Sequence, residues 1–275
     1  MKEISKFSVL MSLYVGENAK FLSKCLESIA NQTVKPHEVV IVLDGPLNDE
    51  LYDEIQNWKS SLNLIELPLD ENKGLSFALN YGLSQCTNDL VARMDTDDIC
   101  LPNRFETQLE FMKNNLFIDI CGSFAIDISE LGNEINVRKV PIEHDEIYKY
   151  IWSCPLIHPT VMFKKNKIIS IGSYDIDAPL RTDDYNLWIR AAEGQLKFAN
   201  ISEPLIKYRV PDEPWKKNTL KVCFFQSLIG LKAVYKFDCR LKSFLAVLFP
   251  LFRSMLPEKK QALFTDFFKK HDPRD

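Results

Sequence analysis

The chain has 275 residues and a mass of 31.8 kDa, room for one large α/β domain or one domain with a modest appendage. Hydrophobic residues make up 46% of it, enough for a core, and charged residues 26%, ordinary for a globular protein. A formal net charge of -4 and a pI near 5.7 exclude a global pull toward nucleic acid, so no nucleic-acid partner is expected and any basic site must be local. The seven cysteines, scattered without a C-x-x-C pair, read as reduced thiols and exclude a zinc knuckle or a disulfide scaffold. Neither a leader nor a run approaching roughly 18 apolar residues is present in the sequence, which makes a cytoplasmic compartment the default expectation.

In chain order, Phe7–Tyr14, Glu38–Asp44 and Leu62–Leu67 are short, nearly continuous apolar runs, the pattern of strands buried on both faces. Between the first two, Phe21, Leu22, Cys25, Leu26 and Ile29 recur at helical spacing. A second helix, Leu51–Trp58, follows Asn48 and Asp49 as candidate N-caps. A third starts near Gly74 and carries Leu75, Ala78, Leu79 and Leu83 on one face, and Asp89–Met94 is the next strand. This alternation predicts a parallel sheet with helices on both faces. A helix after Pro102 then leads to a strand around Ile118–Ile128 and a returning strand over Asn133–Val140 through a turn at Gly132. Further along come a strand at Thr160–Phe163, a helix at Asp183–Ala192 and strands around Phe198–Val210. The composition shifts near Pro211–Lys217, beyond which the chain reads as helical to its end.

Ligands of open α/β sheets sit at the carboxyl ends of the strands, and acids cluster there. Asp44, followed by Gly45, closes the second strand, where it can accept hydrogen bonds from a base or ribose or form an ordinary Asp-Gly turn. The run Arg93-Met94-Asp95-Thr96-Asp97-Asp98 ends the fourth strand. Its three carboxylates repel one another, and a divalent cation resolves that repulsion. All-oxygen ligands suit Mg²⁺ or Mn²⁺, and in an extended segment Asp95 and Asp97 point to one side. The other reading is a helix N-terminus decorated with acids and capped by Asp98.

Thr182-Asp183-Asp184-Tyr185 opens a helix. Thr182 can cap it with the acids favouring the dipole, or one carboxylate can face the crevice as a general base. His158 precedes Pro159 in an apolar segment and reads as a hydrogen-bonded core residue or as a further metal ligand. Asn72-Lys73-Gly74 precedes the third helix, where backbone N–H groups and a lysine can meet a phosphate or simply form a turn.

In their order along the chain, these residues resemble the family 2 glycosyltransferases of the GT-A fold. The resemblance rests on Ser8–Tyr14, Leu26–Ile29, Asn31–Thr33, Asp44-Gly45, Asn72–Leu75, Asn80–Leu83, Ala92–Asp98 and Leu101–Arg104. His158–Phe163 and Asp183–Trp188 carry it into the second half, so it covers roughly the first 210 residues. Enzymes that assemble bacterial O-antigens, capsules and exopolysaccharides are the members it is most similar to.

The resemblance implies an α/β fold of GT-A type: a Rossmann-like, mostly parallel nucleotide-binding sheet flanked by helices, with a helical C-terminal extension. A nucleotide-binding half would cover about residues 1–100, an acceptor half 101–214 and the extension 215–275. It implies an inverting transfer of a sugar from a nucleotide diphosphate, with a UDP-hexose the favoured donor, to a lipid-diphosphate-linked or oligosaccharide acceptor. Asp44 and Tyr14 would hold the base. Asp95 and Asp97 would meet ribose and a Mn²⁺ or Mg²⁺ ion, with Asp97 the first choice for direct ligation, and Lys73 or Arg93 would add charge stabilisation. Asp184 would be the catalytic base, beside Asp183, which stands where the family usually has Glu. Many relatives carry a histidine soon after the Tyr-Arg of the late strand, whereas Tyr208-Arg209 here runs into Val210-Pro211. A contact from that place is therefore absent or supplied from elsewhere, with His158 and Lys207 the candidates.

The C-terminal run Phe244–Phe252, flanked by Lys242, Arg253, Lys259 and Lys260, is too short to span a bilayer. It reads either as a helix packed on the catalytic domain and broken near Pro250, or as a peripheral contact with the cytoplasmic face of the inner membrane. Two other enzyme classes use similar acids. A metal-dependent nucleotidyltransferase wants a glycine-rich, basic first loop, whereas Tyr14–Asn18 has one glycine and an acid. A glycosidase has no use for a nucleotide cradle. The non-enzymatic alternative is a sugar-nucleotide or glycan-binding module.

Overall fold

The fold is seen in a computed structural model that describes residues 6–211, 219–256 and 261. Its first half is four strands alternating with three helices: β1 (Phe7–Leu13), α1 (Ala19–Ala30), β2 (Glu38–Leu43), α2 (Asp49–Trp58), β3 (Leu64–Pro68), α3 (Leu75–Gln85) and β4 (Leu90–Arg93). These strands are parallel in the order β3-β2-β1-β4. All six residues of β2 are buried, as a strand covered by helices on both faces requires. β3 departs from that expectation: it lies at the sheet edge and is only partly buried, so its apolar run covers one side of β2 rather than filling a core. The Asn18 and Asn48 side chains cap α1 and α2 by accepting from the N–H of Lys20 and Leu51.

The second half runs β5 (Ile99–Cys100), α4 (Arg104–Asn114), β6 (Ile120–Ile128), β7 (Glu134–Arg138), α5 (His144–Lys149), two 3₁₀ turns (Ile151–Ser153 and His158–Thr160), β8 (Met162–Lys164), α6 (Lys165–Ser170), α7 (Asp183–Glu193) and β9 (Phe198–Arg209). It joins the same sheet through β8, antiparallel to both β4 and β6, while β9 runs parallel to β6. The strand expected from Thr160 begins at Met162, because Thr160 belongs to the 3₁₀ turn that starts at His158. No helix begins at Asp98: the chain passes into β5, antiparallel to β9, and α4 starts only at Arg104. The reading of Asp98 as a helix cap therefore fails.

Two apolar layers sandwich the sheet. Along β1, Phe7, Val9, Met11 and Leu13 face α1, α2 and α4, while Leu10 faces α3, the alternation a strand imposes. Among the described residues the extension contains α8 (Leu220–Phe237) and α9 (Leu241–Ser254). Ala233, Val234 and Val247 belong to the same apolar cluster as Ile151 and Trp188, so the two helices are packed on the α/β core. Trp152 Nε1 donates to Asp238 between the two helices at 2.9 Å. Contrary to the expected break, α9 continues through Pro250 to Ser254. The expected boundary between residues 214 and 215, with Lys259 and Lys260, lies outside the described residues.

One glycine decides how β2 leads into the site. Gly45 has φ +89°, and a Cβ there would sit 2.7 Å from the backbone nitrogen of Asn72. Gly45→Ala should lower the free energy of unfolding by about 1–3 kcal/mol through backbone strain and the clash, measured by urea denaturation. A change within about 0.5 kcal/mol, the scale of an indifferent surface substitution, would mean that the 72–74 loop moves away freely.

Candidate active site

Each carboxylate expected at the site lies at a strand end or a helix start. Asp44, 4% exposed, follows β2 and accepts the N–H of Lys73 at 2.7 Å on one oxygen and that of Gly74 at 3.1 Å on the other. Asn72 Nδ2 donates to its carbonyl. The anion at this turn before α3 is thus the chain's own Asp44, and those two N–H groups are already engaged. A carboxylate has about four lone-pair sites, so one acceptor site per oxygen remains. The Lys73 ammonium stays partly exposed, 5.1 Å from the centre of the Phe77 ring. Tyr14 follows β1 and is 44% exposed. Its ring folds over Gly16, where any Cβ would meet ring atoms at 2.4 Å, and it lies within the field of Asp97.

Asp95, Asp97 and Asp98 follow β4 and present one carboxylate oxygen each within 4.8 Å of one another. Two arginines contain this cluster. Arg93, 1% exposed, donates from Nη2 to Asp95 Oδ1, while its Nε and Nη1 have no hydrogen-bond partner. The guanidinium therefore lies beneath the cluster and reaches the cleft through Asp95. Arg209, at the end of β9, gives its backbone N–H to Asp98 Oδ1 at 2.7 Å and its Nε to the Asp97 carbonyl at 2.9 Å. Its Nη1 donates to the carbonyls of Ser129 and Glu130, and the guanidinium sits 4.0 Å over the Phe21 ring.

Burial, and after it the Asp95 carboxylate, pushes Asp97 up to about 6. Asp98, fully buried, is pushed well up by burial and then by Asp95 and Asp97, and its Oδ2 has no partner. Repelling carboxylates with a buried, unpaired oxygen are a donor set that fits a hard divalent cation. Asp95 and Asp97 would hold it, with Asp98 beneath them.

The other acids sit across the cleft, on α7. Thr182 is the first-turn boundary but makes no capping bond; its hydroxyl donates to the Pro179 carbonyl. Asp183 Oδ1 accepts the Ser76 hydroxyl from α3 at 2.6 Å. Asp184 Oδ1 accepts its neighbour Tyr185 N–H at 2.8 Å, and Oδ2 faces the Cys154 thiol at 3.7 Å. Burial raises the Asp184 pKa, an effect the Tyr185 N–H partly offsets. His158 is buried, shares a 2.8 Å hydrogen bond between Nε2 and the Tyr174 hydroxyl, and packs edge-on against Trp188. Burial, then the Arg93 guanidinium, pushes its pKa well down, so the imidazole is neutral.

A cleft of about 960 Å³ brings Asp95, His158, Asp183 and Asp184 together, with Leu75, Cys154 and Arg181 on its walls. Asp97 adjoins it through Asp95. Lys207 instead pairs with Glu134 at 2.8 Å, an engagement on β7 away from these acids. The His158 ring is not part of the three-carboxylate group. Four residues of the site went unforeseen: Ser76, Cys154, Arg181 and the bracing role of Arg209. Only the Tyr208-Arg209 pair carried a signal, by its position in the late strand; the others depend on contacts between segments far apart in sequence.

Strands that carry a nucleotide-binding type of parallel sheet, an acidic cluster at its carboxyl edge and a second pair of acids facing it define a GT-A glycosyltransferase architecture. The Glycosyl transferase family 2 model matches residues 8–175, and the chain belongs to that family. It is 41% identical over 204 residues to the amylovoran biosynthesis glycosyltransferase AmsE of Erwinia amylovora, covering 74% of this chain and 76% of that protein. It is 39% identical over 214 residues to an Escherichia coli UDP-Gal:alpha-D-GlcNAc-diphosphoundecaprenol beta-1,3-galactosyltransferase, covering 77% of each. Among solved structures, residues 1–349 of S. aureus TarS in complex with UDP superpose with a TM-score of 0.62 at 18% identity, over 94% of this chain and 83% of that one. The fold is shared at that level.

Arg209→Met leaves three carbonyls without their donor. It should lower the free energy of unfolding by about 2–3 kcal/mol, the scale of a buried hydrogen-bond network left unpaired. Urea titration reads this directly, and a loss below about 0.5 kcal/mol would mean that the brace contributes nothing.

Proposed function

We propose that this glycosyltransferase moves a hexosyl group, with inversion at the anomeric carbon, from a UDP-hexose to a hydroxyl of a lipid-diphosphate-linked glycan, during bacterial surface-polysaccharide assembly at the cytoplasmic face of the inner membrane. The observation that carries the reading is the facing of Asp184 and Asp95 across one cleft. That arrangement leaves space for a sugar between a base and the acids that would anchor its diphosphate. The E. coli relative, whose name gives a UDP-galactose donor and a diphosphoundecaprenol-linked acceptor, supports the choice of substrates. The TarS complexes with UDP and UDP-GlcNAc support a uridine nucleotide in this fold.

In the proposed reaction Tyr14 and Asp44 hold the uridine and Asp95 meets the ribose. Asp184 accepts the proton of the acceptor hydroxyl as its oxygen bonds to the anomeric carbon, on the face opposite the breaking bond to the diphosphate. The electron pair of that bond leaves with UDP. Ser76 orients Asp183 beside the base, and the neutral imidazole of His158, bonded to the Tyr174 hydroxyl on the wall of the same cleft, does not compete for the proton. A Mn²⁺ or Mg²⁺ ion held by Asp97 and Asp95 would supply neutralisation of the charge on the leaving diphosphate. Arg181, on the cleft wall and in no ion pair with a described residue, adds positive charge toward an anionic substrate.

Asp184→Asn should keep UDP affinity while turnover falls by about two decades or more, the scale of general-base loss. In the unaltered enzyme kcat/KM should fall with decreasing pH as Asp184 takes up its proton, with a midpoint above the ordinary aspartate range because its pKa is raised. Near-normal turnover in the variant would remove Asp184 from the role. Asp97→Ala should abolish the increment in UDP affinity that Mn²⁺ confers, followed by calorimetry with and without the ion. An unchanged increment would move the metal elsewhere.

A further inference from the structure

Charge along this chain is unevenly distributed. Between Leu220 and Leu256 there are six basic residues (Lys221, Lys232, Lys236, Arg240, Lys242 and Arg253) and a single acid, Asp238. The acid is bound to Arg240 and to Trp152. The two C-terminal helices are thus strongly cationic within a chain whose formal net charge is -4. The same helices expose large apolar side chains. Leu220, Phe224, Leu228 and Tyr235 of α8 are all exposed, Tyr235 to 77%. At about 100° per residue they fall within an arc of about 80°. Leu241, Leu245 and Phe252 of α9 are exposed as well, and by the same spacing they fall within about 40°.

The buried residues of α8, Val222, Ser227, Gly230 and Ala233 among them, lie on a separate face, centred about 130° from the stripe by the same spacing, against α9 and the turn at Ile151–Ser153. Close approach is obligatory there: a Cβ on Gly230 would meet the Tyr185 hydroxyl at 2.5 Å and Val247 at 2.7 Å. Each helix is therefore two-sided, with an inner face fixed to the catalytic core and an outer apolar stripe. Exposed lysines, Lys221 and Lys232 on α8 and Lys242 on α9, follow at the stripe's flank. No described helix is long and apolar enough to cross a membrane, so these helices fit a bilayer surface rather than its interior.

Their inner side completes the cleft. Gln226 of α8 and Ala246, Val247, Phe249 and Pro250 of α9 line the same cavity as Asp95 and Asp184. The hairpin that carries the outer stripes is thus itself one wall of the cleft that holds Asp95 and Asp184.

We propose that the outer face of α8 and α9 docks the enzyme on an anionic phospholipid surface, the apolar stripes entering the headgroup boundary and the lysines meeting lipid phosphates. The hairpin then acts at once as membrane foot and cleft wall, and it brings the cavity to the level at which a membrane-held diphosphate emerges. The choice of acceptor rests on the function proposed above. The docking itself is measured without either substrate.

The test is co-sedimentation of the full chain with vesicles of phosphatidylglycerol and phosphatidylethanolamine, or of phosphatidylcholine alone. The expected result is at least tenfold stronger partition onto the anionic vesicles, weakened by 0.5 M salt as the charges are screened. Replacing four exposed side chains together, Leu228→Gln, Tyr235→Gln, Leu245→Gln and Phe252→Gln, should reduce that partition at least tenfold, with the melting temperature and UDP affinity retained. Equal partition of variant and parent, or no binding by the parent, overturns the proposal. So does a parent that sediments as a dimer and a variant that sediments as a monomer, because the stripe is then an interface between copies. Loss of UDP binding by the parent with vesicle binding intact would instead strike the glycosyltransferase substrates and leave the docking surface standing.

Discussion

Mutual repulsion among Asp95, Asp97 and Asp98 is the constraint around which the molecule is built. Three carboxylates within 4.8 Å, one of them fully buried, are tolerable only where cationic and hydrogen-bonding partners are held rigidly in place. Arg93 supplies one partner from inside the sheet and Arg209 the other from β9. Neither neutralises the cluster completely: burial and Asp95 still push Asp97 up to about 6, and an oxygen of Asp98 stays unpaired. A protein that maximised stability alone would have no reason to keep such a cluster. Its retention of negative potential at a strand end is what makes the place chemically useful.

The two arginines also explain why the halves of the chain form one body. Arg209 lies more than a hundred residues from Asp97 and Asp98, yet its main chain and side chain bond to both. Antiparallel pairing of β5 with β9 brings it there. On the opposite wall, Ser76 of α3 reaches Asp183 of α7 across a separation of 107 residues. Asp44 in turn grips the turn from which α3 starts. A continuous chain of hydrogen bonds thus runs from the end of β2 through the start of α3 to the start of α7, so the position of the acids on α7 depends on the geometry of the first half.

What the sequence displayed and what it hid follow the range of the interactions. The parallel half was legible because each strand there is a buried apolar run, and β2, wholly covered, shows that pattern most clearly. β3 carried the same composition at an edge, where burial is partial, because composition alone does not report sheet order. The acids were legible as clusters following strands or opening helices. Their supports were not: Cys154, at φ +55° beside Asp184, and Ser76, below Asp183, have unremarkable local contexts. The path through Asp98 was misread in one alternative because an acid before an apolar stretch suits a helix cap and a short strand equally well. β9 decides the matter by offering a backbone donor to its carboxylate. Pro250 likewise suggested a break, but packing of Val247 against Gly230 and the Ser227–Val247 hydrogen bond hold α9 in the turn just before the ring.

The extension turns this packing to a purpose that the nucleotide half cannot serve. Strand ends provide fixed acids, but a parallel sheet offers its acceptor side only loops, which are poor walls for a large and partly apolar substrate. Here the wall is a helical hairpin anchored by Trp152 to Asp238 and by Gly230 against Tyr185. Tyr185 follows Asp184 directly, and its hydroxyl also bonds the Trp152 carbonyl. Any displacement of the hairpin is therefore felt at the residue beside Asp184. A surface that presses on α8 and α9 from outside would bear on a rigid connection to the site, because the contacts that bury the hairpin's inner face also hold the wall of the cleft.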